Sequence, residues 1–258
     1  MAQSHAISSI QLETFKSRFL LFQNQYVLIG GIASQLLLEE VGITTRSTKD
    51  LDIVLCIEAL TNNFILHFWK FIKDGGYECF IKSGDKRCFY RFDNPKNPNY
   101  PYMLELLSDK TIQMEDIDQV THPIVIDDEL VSLSAIMLNQ EYYQFIMQNK
   151  REIKGIMVVN EIAIIPLKIF AYLNLSDKKA KGEKISSDDI NKHKNDVYRL
   201  VQLLSKSPLS NISPIIKQDI AKFCMTLEEH PTILKQLHLD FESIDEIRNI
   251  LLNVYCSE

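Results

Sequence analysis

Glycine and proline are scarce in this 258-residue sequence, cysteines are few, and negative charge outnumbers positive. The cysteines, Cys56, Cys79, Cys88, Cys224 and Cys256, are odd in number and scattered, with no Cys-x-x-Cys pair. That argues against a zinc site or a disulfide framework and for a reducing compartment. Eight glycines and eight prolines leave little room for long disordered linkers. No run of ~20 apolar residues, the span a membrane helix needs, occurs. The most apolar stretches, 26–38 and 162–175, are broken by Gly, Gln, Pro or Lys. The opening Met-Ala-Gln-Ser-His-Ala has no charged leader ahead of an apolar run, so no signal peptide is expected. A cytoplasmic protein with no membrane partner follows as the expectation. Lys and Arg number 28 against 34 Asp and Glu, a net charge of −6. Bulk charge therefore does not mark a protein that coats nucleic acid, although a local basic patch in an acidic chain can still serve a nucleic-acid substrate.

What is present is an ordinary globular composition, 46% hydrophobic and 24% charged. The length fits one large domain or two modest ones. Periodicity predicts a helix over 8–24, a short buried strand at 26–29, a helix over 32–40 and a second strand at 50–55. A helix follows over 63–73, then a strand pair at 77–82 and 87–92, a proline-rich loop over 94–101 and a strand at 102–107. Shorter strands are expected at 124–126 and 156–159, with a helical pattern over 132–147 between them. From Pro166 on, the pattern is helical: 167–175, 187–205, 212–227 and 244–255. The fold class expected is α/β (α+β): a mixed sheet flanked by helices over 1–165, then a helical C-terminal domain over 166–258.

The chemistry concentrates in Leu28-Ile29-Gly30-Gly31-Ile32-Ala33-Ser34 and in Arg46-Ser47-Thr48-Lys49-Asp50-Leu51-Asp52. Gly30 and Gly31 stand between a strand and a helix, where glycine lets backbone approach a ligand and the helix end offers N–H groups to a phosphate. Ser34 adds a hydroxyl in the first turn. Asp50 and Asp52 lie two apart on a strand, so their side chains point the same way. Adjacent carboxylates repel, and a cation is the natural reason to place them together. Their oxygens suit Mg²⁺, which also binds substrate phosphates. Glu105 stands among Met103, Leu104, Leu106 and Leu107, where an ionised carboxylate is costly unless paired or metal-bound. If its strand neighbours 50–55, three carboxylates converge, as a two-metal phosphoryl-transfer site requires.

The pattern hydrophobic-Gly-Gly-x-Ala followed by Arg-x-Thr-x-Asp-x-Asp-hydrophobic resembles the polymerase-beta-like nucleotidyltransferase superfamily, most of all its AbiEii-type branch, the toxins of type IV toxin–antitoxin systems. The resemblance spans most of the chain in short motifs. It implies a nucleotidyltransferase core in which Gly30 and Gly31 line the triphosphate site. Asp50 and Asp52 would bind Mg²⁺ (two ions, with Mn²⁺ as a substitute), and Glu105 would supply the third acidic ligand. The branch also carries a Lys that opens a later helix and an Asp in a Lys-x-x-x-Asp-hydrophobic-Tyr-x-Leu helix. These match Lys168, which would neutralise phosphate charge during catalysis, and Asp196 at the nucleotide site. Arg46 is the further candidate for a phosphate. Many relatives have Gly-Ser where this chain has Gly30-Gly31, which makes the phosphate contact a backbone one. The partners implied are an NTP, a tRNA or other RNA acceptor, and a cognate antitoxin protein.

Each reading has a plainer rival. Glu105 can be a structural residue paired with a nearby Lys or Arg, and Asp93 rivals it as the third carboxylate. Arg46 can cap or pair locally, and Arg91 is a lesser phosphate candidate. Lys168 can reach water along its stem, and Asp196 can be its partner across two helices or only support its own helix. The lysine-rich loop 178–184 is either a solvated loop or an RNA contact. The histidines show no metal-ligand spacing. The acceptor stays open between RNA, a protein hydroxyl and a small molecule. A non-catalytic nucleotide-binding protein is the reading from a different class.

Overall fold

The computed structural model describes residues 7–43, 45, 48–82, 86–107, 139–229 and 232–257. The chain forms two compact units, 1–160 and 161–258. The architecture is mixed α/β, a mixed sheet flanked by helices followed by a helical second unit.

In the first unit, α1 (Ser9–Phe19) leads through a 3₁₀ segment, Leu20–Gln25, to β1 (Tyr26–Ile29). Ser8 and Gln11 form a reciprocal capping box at the start of α1, which satisfies two of the donors a helix start leaves unpaired. Then come α2 (Gly30–Glu40), β2 (Asp50–Leu55), α3 (Asn62–Gly75), β3 (Glu78–Lys82), β4 (Lys86–Asp93) and β5 (Met103–Leu107). After the stretch 108–138 the chain resumes with α4 (Gln140–Gln148), β6 (Lys150–Ile153) and β7 (Ile156–Val159).

The described strands form one seven-stranded sheet in the order β3-β4-β5-β2-β1-β7-β6. β2 runs parallel to β5 and β1 parallel to β7, while the other neighbours are antiparallel. Period-two alternation gives the sheet two chemically different faces. One carries Tyr26, Ile53, Phe92 and Leu104, all essentially without exposure. On it lies an aromatic layer in which Phe68 of α3 packs 5.6 Å from Phe92, and Phe15 of α1 packs 5.4 Å from Tyr26, centroid to centroid. The apolar positions Phe64, Phe68, Phe71 and Ile72 of α3 follow the helical repeat that turns one stripe inward. The opposite face carries Asp50, Asp52 and Glu105.

The second unit contains α5 (Glu161–Ala180), α6 (Ser187–Leu200), α7 (Pro214–Met225), the short α8 (Ile233–Gln236) and α9 (Ile244–Cys256). Ser186, Ser213 and Ser243 cap α6, α7 and α9 with side-chain oxygens that accept from first-turn N–H groups. No described helix is long and apolar enough to cross a membrane.

Three differences from the periodic reading have a clear physical reason. The segment 8–24 is a helix only to Phe19, because the chain tightens there into 3₁₀ turns with a non-helical Phe22 (φ −120°, ψ 18°). β6, with the sequence Lys-Arg-Glu-Ile, is a strand that the periodicity does not predict, because an edge strand needs no apolar run. It turns back into β7 through Lys154 (φ 51°) and Gly155 (φ 82°), the left-handed pair a tight hairpin turn requires. α5 starts at Glu161 and runs through Pro166 rather than beginning after it. Pro166 cannot donate to the carbonyl four residues back, and the Tyr255 hydroxyl of α9 donates to that Ile162 carbonyl instead, at 2.9 Å. The strand expected at 124–126 and the first part of the helix expected over 132–147 lie outside the described residues.

Candidate active site

Site geometry begins at the junction of β1 and α2. Gly30 adopts φ +67°, a left-handed backbone that strongly favours glycine. A Cβ built on it would fall 1.7 Å from Oδ2 of Asp52. The antiparallel register explains this, since Ile29 lies opposite Asp52 and the chain turns into α2 one residue later. A Cβ on Gly31 would lie 2.6 Å from the Thr48 hydroxyl oxygen. Thus the two glycines make room for the acidic strand and its Thr48 lead-in, a role the glycine pattern alone did not reveal. Ser34 is buried and donates its hydroxyl proton to the Gly30 carbonyl at 2.9 Å, which ties it to its own helix.

Asp50 and Asp52 sit on one face of β2. Asp52 is only 7% exposed and Asp50 is half-buried. The parallel pairing of β2 with β5 places Asp52 directly beside Glu105 and Asp50 beside Met103. The sheet thereby brings Glu105 next to the aspartates despite the long stretch of sequence between them. One strand further, Arg91 of β4 pairs with Glu105 and Asp93 with Met103, while Glu78 of β3 pairs with Asp93. Two rows result on the same face: Glu78–Asp93–Met103–Asp50 and Arg91–Glu105–Asp52. The Arg91 guanidinium reaches Oε1 of Glu105 through both Nε, at 2.5 Å, and Nη2. Burial, and then the charge of Glu78, push the Asp93 carboxyl above its usual range, while Arg91 pulls the other way.

Among the described residues, no group of three or more His, Cys, Asp or Glu side chains is arranged to hold a metal ion. Glu105 is drawn toward Arg91, so the three-carboxylate set expected from the pattern is not assembled. Asp50 and Asp52 retain the donor chemistry Mg²⁺ takes, hard oxygens aimed from one face, and Mg²⁺ is commonly held by one or two carboxylates plus substrate phosphates. Asp52 against the Gly30 backbone also lies where a helix N-terminus offers N–H groups to an anion.

The remaining expected residues belong to the second unit or lie outside the described residues. Lys168 of α5 and Asp196 of α6 belong to the second unit, where both are buried and paired Nζ to Oδ2 at 2.8 Å. Arg199 lies 3.8 Å from the other Asp196 oxygen. A buried ammonium so neutralised is the arrangement low-polarity surroundings demand. Arg46 lies outside the described residues. The lysine stretch 178–184 begins inside α5, and Lys179 donates to the Ser187 hydroxyl at 2.5 Å. No protein-family model, curated protein or solved structure matches this chain.

Proposed function

We propose that this protein is a metal-dependent nucleotidyltransferase that moves a nucleoside monophosphate from an NTP to an acceptor hydroxyl. The observation that carries this reading is the placement of Asp50 and Asp52 on one sheet face, with Asp52 against the left-handed Gly30 backbone at the start of α2. A carboxylate pair beside a helix N-terminus joins a cation site to an anion site, as a metal–triphosphate substrate requires. The acceptor oxygen would attack the α-phosphorus, the bond to the β-phosphate oxygen would break, and pyrophosphate would leave while the acceptor proton passes to water. Mg²⁺ held by Asp50 and Asp52 would supply positive charge against the triphosphate and the departing pyrophosphate. The α2 N–H groups would orient the phosphates.

The resemblance to the AbiEii-type toxins makes a tRNA the acceptor of first choice and a cognate antitoxin the protein partner. The decisive experiment incubates the full chain with each α-labelled NTP, Mg²⁺ and total cellular RNA or total protein. Label is expected in the RNA fraction. Asp52→Asn should reduce transfer about a hundredfold or more, the several kcal/mol a metal contributes to phosphoryl transfer. Label in the protein fraction would move the acceptor to a protein hydroxyl. Nucleotide that binds without any transfer would leave a non-catalytic binding protein.

A further inference from the structure

Among the two described rows of the acidic face, Arg91 is the cation set among Glu78, Asp93, Asp50, Glu105 and Asp52. Its guanidinium is forked onto one oxygen of Glu105, the carboxylate directly beside Asp52. The Glu105 side chain is 17% exposed and that of Arg91 is 37% exposed, so the arginine lies on the open side of the pair and can swing away without unpacking the sheet. Its stem starts from a strand whose next residue, Phe92, is anchored in the core, which fixes the base of the side chain while the head stays partly open to solvent. Guanidinium groups bind phosphate oxygens in the same forked manner as carboxylates.

We infer that Arg91 is a positioning residue that couples nucleotide to metal: it holds Glu105 away from the cation until a triphosphate takes its guanidinium. This rests on the nucleotidyltransferase reading of the same face. Without a nucleotide, Arg91 neutralises Glu105 and opposes a second positive charge at Asp50 and Asp52. When a triphosphate arrives, Arg91 exchanges one anion for another and Glu105 turns toward Asp52, which completes a three-carboxylate set. Cation and triphosphate then favour each other's binding, and the coupling is reciprocal by thermodynamic necessity. The exchange conserves ion pairs, so it needs no unpaired buried charge at any stage.

The test measures binding rather than turnover. Mn²⁺ binding to the full chain is followed by the loss of the free-ion electron paramagnetic resonance signal. Arg91→Gln should bind Mn²⁺ alone roughly fivefold tighter than wild type, the scale of a lost competing ion pair at a partly exposed site. The double variant Arg91→Gln with Glu105→Gln should lose that gain. In Mg²⁺, the same Arg91→Gln change should weaken inorganic tripolyphosphate binding. Opposite effects on cation and anion are what a merely structural arginine would not produce. Glu105→Gln provides an independent arm: it releases Arg91 and should tighten metal-free tripolyphosphate binding, again roughly fivefold. If Mn²⁺ binds wild type and Arg91→Gln equally, and Asp52→Asn abolishes it in both, the coupling is overturned while the metal site stands. If neither protein binds Mn²⁺ in an Asp52-dependent way, the nucleotidyltransferase reading falls and this inference with it. Should Arg91→Gln fail to fold, an unchanged tripolyphosphate affinity in Glu105→Gln overturns the coupling by itself.

Discussion

Asp52 reaches into the volume a side chain on Gly30 would fill, and the left-handed backbone there adds a second objection to any other residue. Gly30→Ala therefore incurs about 1–2 kcal/mol for the backbone and a further steric term because the neighbour is a buried carboxylate. We expect a total of about 2–4 kcal/mol in denaturant unfolding, with Asp52 displaced and the proposed metal site disrupted. Gly31→Ala meets the Thr48 side chain, its hydroxyl oxygen at 2.6 Å and its Cβ at 2.9 Å, but Gly31 does not have the left-handed backbone and Thr48 is half-buried, so it should be the milder variant. Equal losses from the two substitutions would refute this account of the pair. A second residue reports on pH. His67 of α3 packs between the Phe19 and Phe22 rings, with centroids at 5.4 and 5.1 Å, and its buried Nε2 has no hydrogen-bond partner. Burial pulls its pKa below the usual 6.5 and outweighs a hydrogen bond with the Arg18 backbone that pushes the other way, while the Arg18 and Lys70 charges add to the lowering. The unfolded chain then binds more protons than the native one once pH falls below about 6.5, so stability is intact above that value and declines through the acid side. His67→Phe should flatten the profile between about pH 7 and pH 5. A variant that tracks wild type over that window would show that other groups govern it.

At the scale of elements, the helix α5 continues through a proline because a distant tyrosine serves the carbonyl that the proline leaves without its helical donor. The Tyr255 hydroxyl donates to Ile162, and Tyr255 is fully buried, with its pKa raised by that burial. Tyr255→Phe should destabilise the protein by about 0.5–1.5 kcal/mol, the net contribution of a typical intramolecular hydrogen bond. In a Pro166→Ala background the helix can supply its own N–H to that carbonyl, and the same Tyr255→Phe change should then lose most of its effect. A double-mutant cycle reads the difference directly, and additive losses would refute the link. Pro166 was legible in the sequence as a boundary, since proline usually ends a helix pattern, but its compensating tyrosine is 89 residues further on (255 − 166) and no local signal announces it. The same limit applies to the candidate site. Asp50 and Asp52 share a face because they are two apart on a strand whose hydrophobic run marks it as core. Glu105 was recognisable as out of place among leucines, and only the strand pairing puts it beside Asp52. What the pattern could not convey is that Arg91 lies on the next strand in the same row, because cross-strand register between β4 and β5 is set by tertiary pairing. Lys168 and Asp196 stood out as charges in apolar helical stretches, and the packing of α5 on α6 joins them.

For the molecule as a whole, charge limits how an RNA acceptor can be held. The chain carries a net −6, and the face proposed for catalysis adds a concentration of carboxylates where an RNA end would have to lie. A phosphodiester approaching that face is repelled unless cations stand between, so recognition at this face is expected to run through bound cations rather than through counterion release from a basic surface. A tRNA should therefore bind weakly in EDTA and more tightly in Mg²⁺. Its affinity should depend shallowly on monovalent salt, because few phosphates are neutralised by side chains. Fluorescence anisotropy of end-labelled tRNA against the full chain, over KCl from about 50 to about 300 mM, checks this. The logarithm of affinity should fall against the logarithm of salt with a slope of magnitude below about 3, the value for a handful of phosphate contacts. A steeper slope, beyond about 5 and unaffected by EDTA, would mean that an extensive basic surface engages the RNA independently of the carboxylate face, and the tRNA would then be bound elsewhere than at the proposed site. Asp52→Asn separates the two cases further, because removing a negative charge should ease metal-free RNA approach to this face while leaving a remote basic surface unchanged.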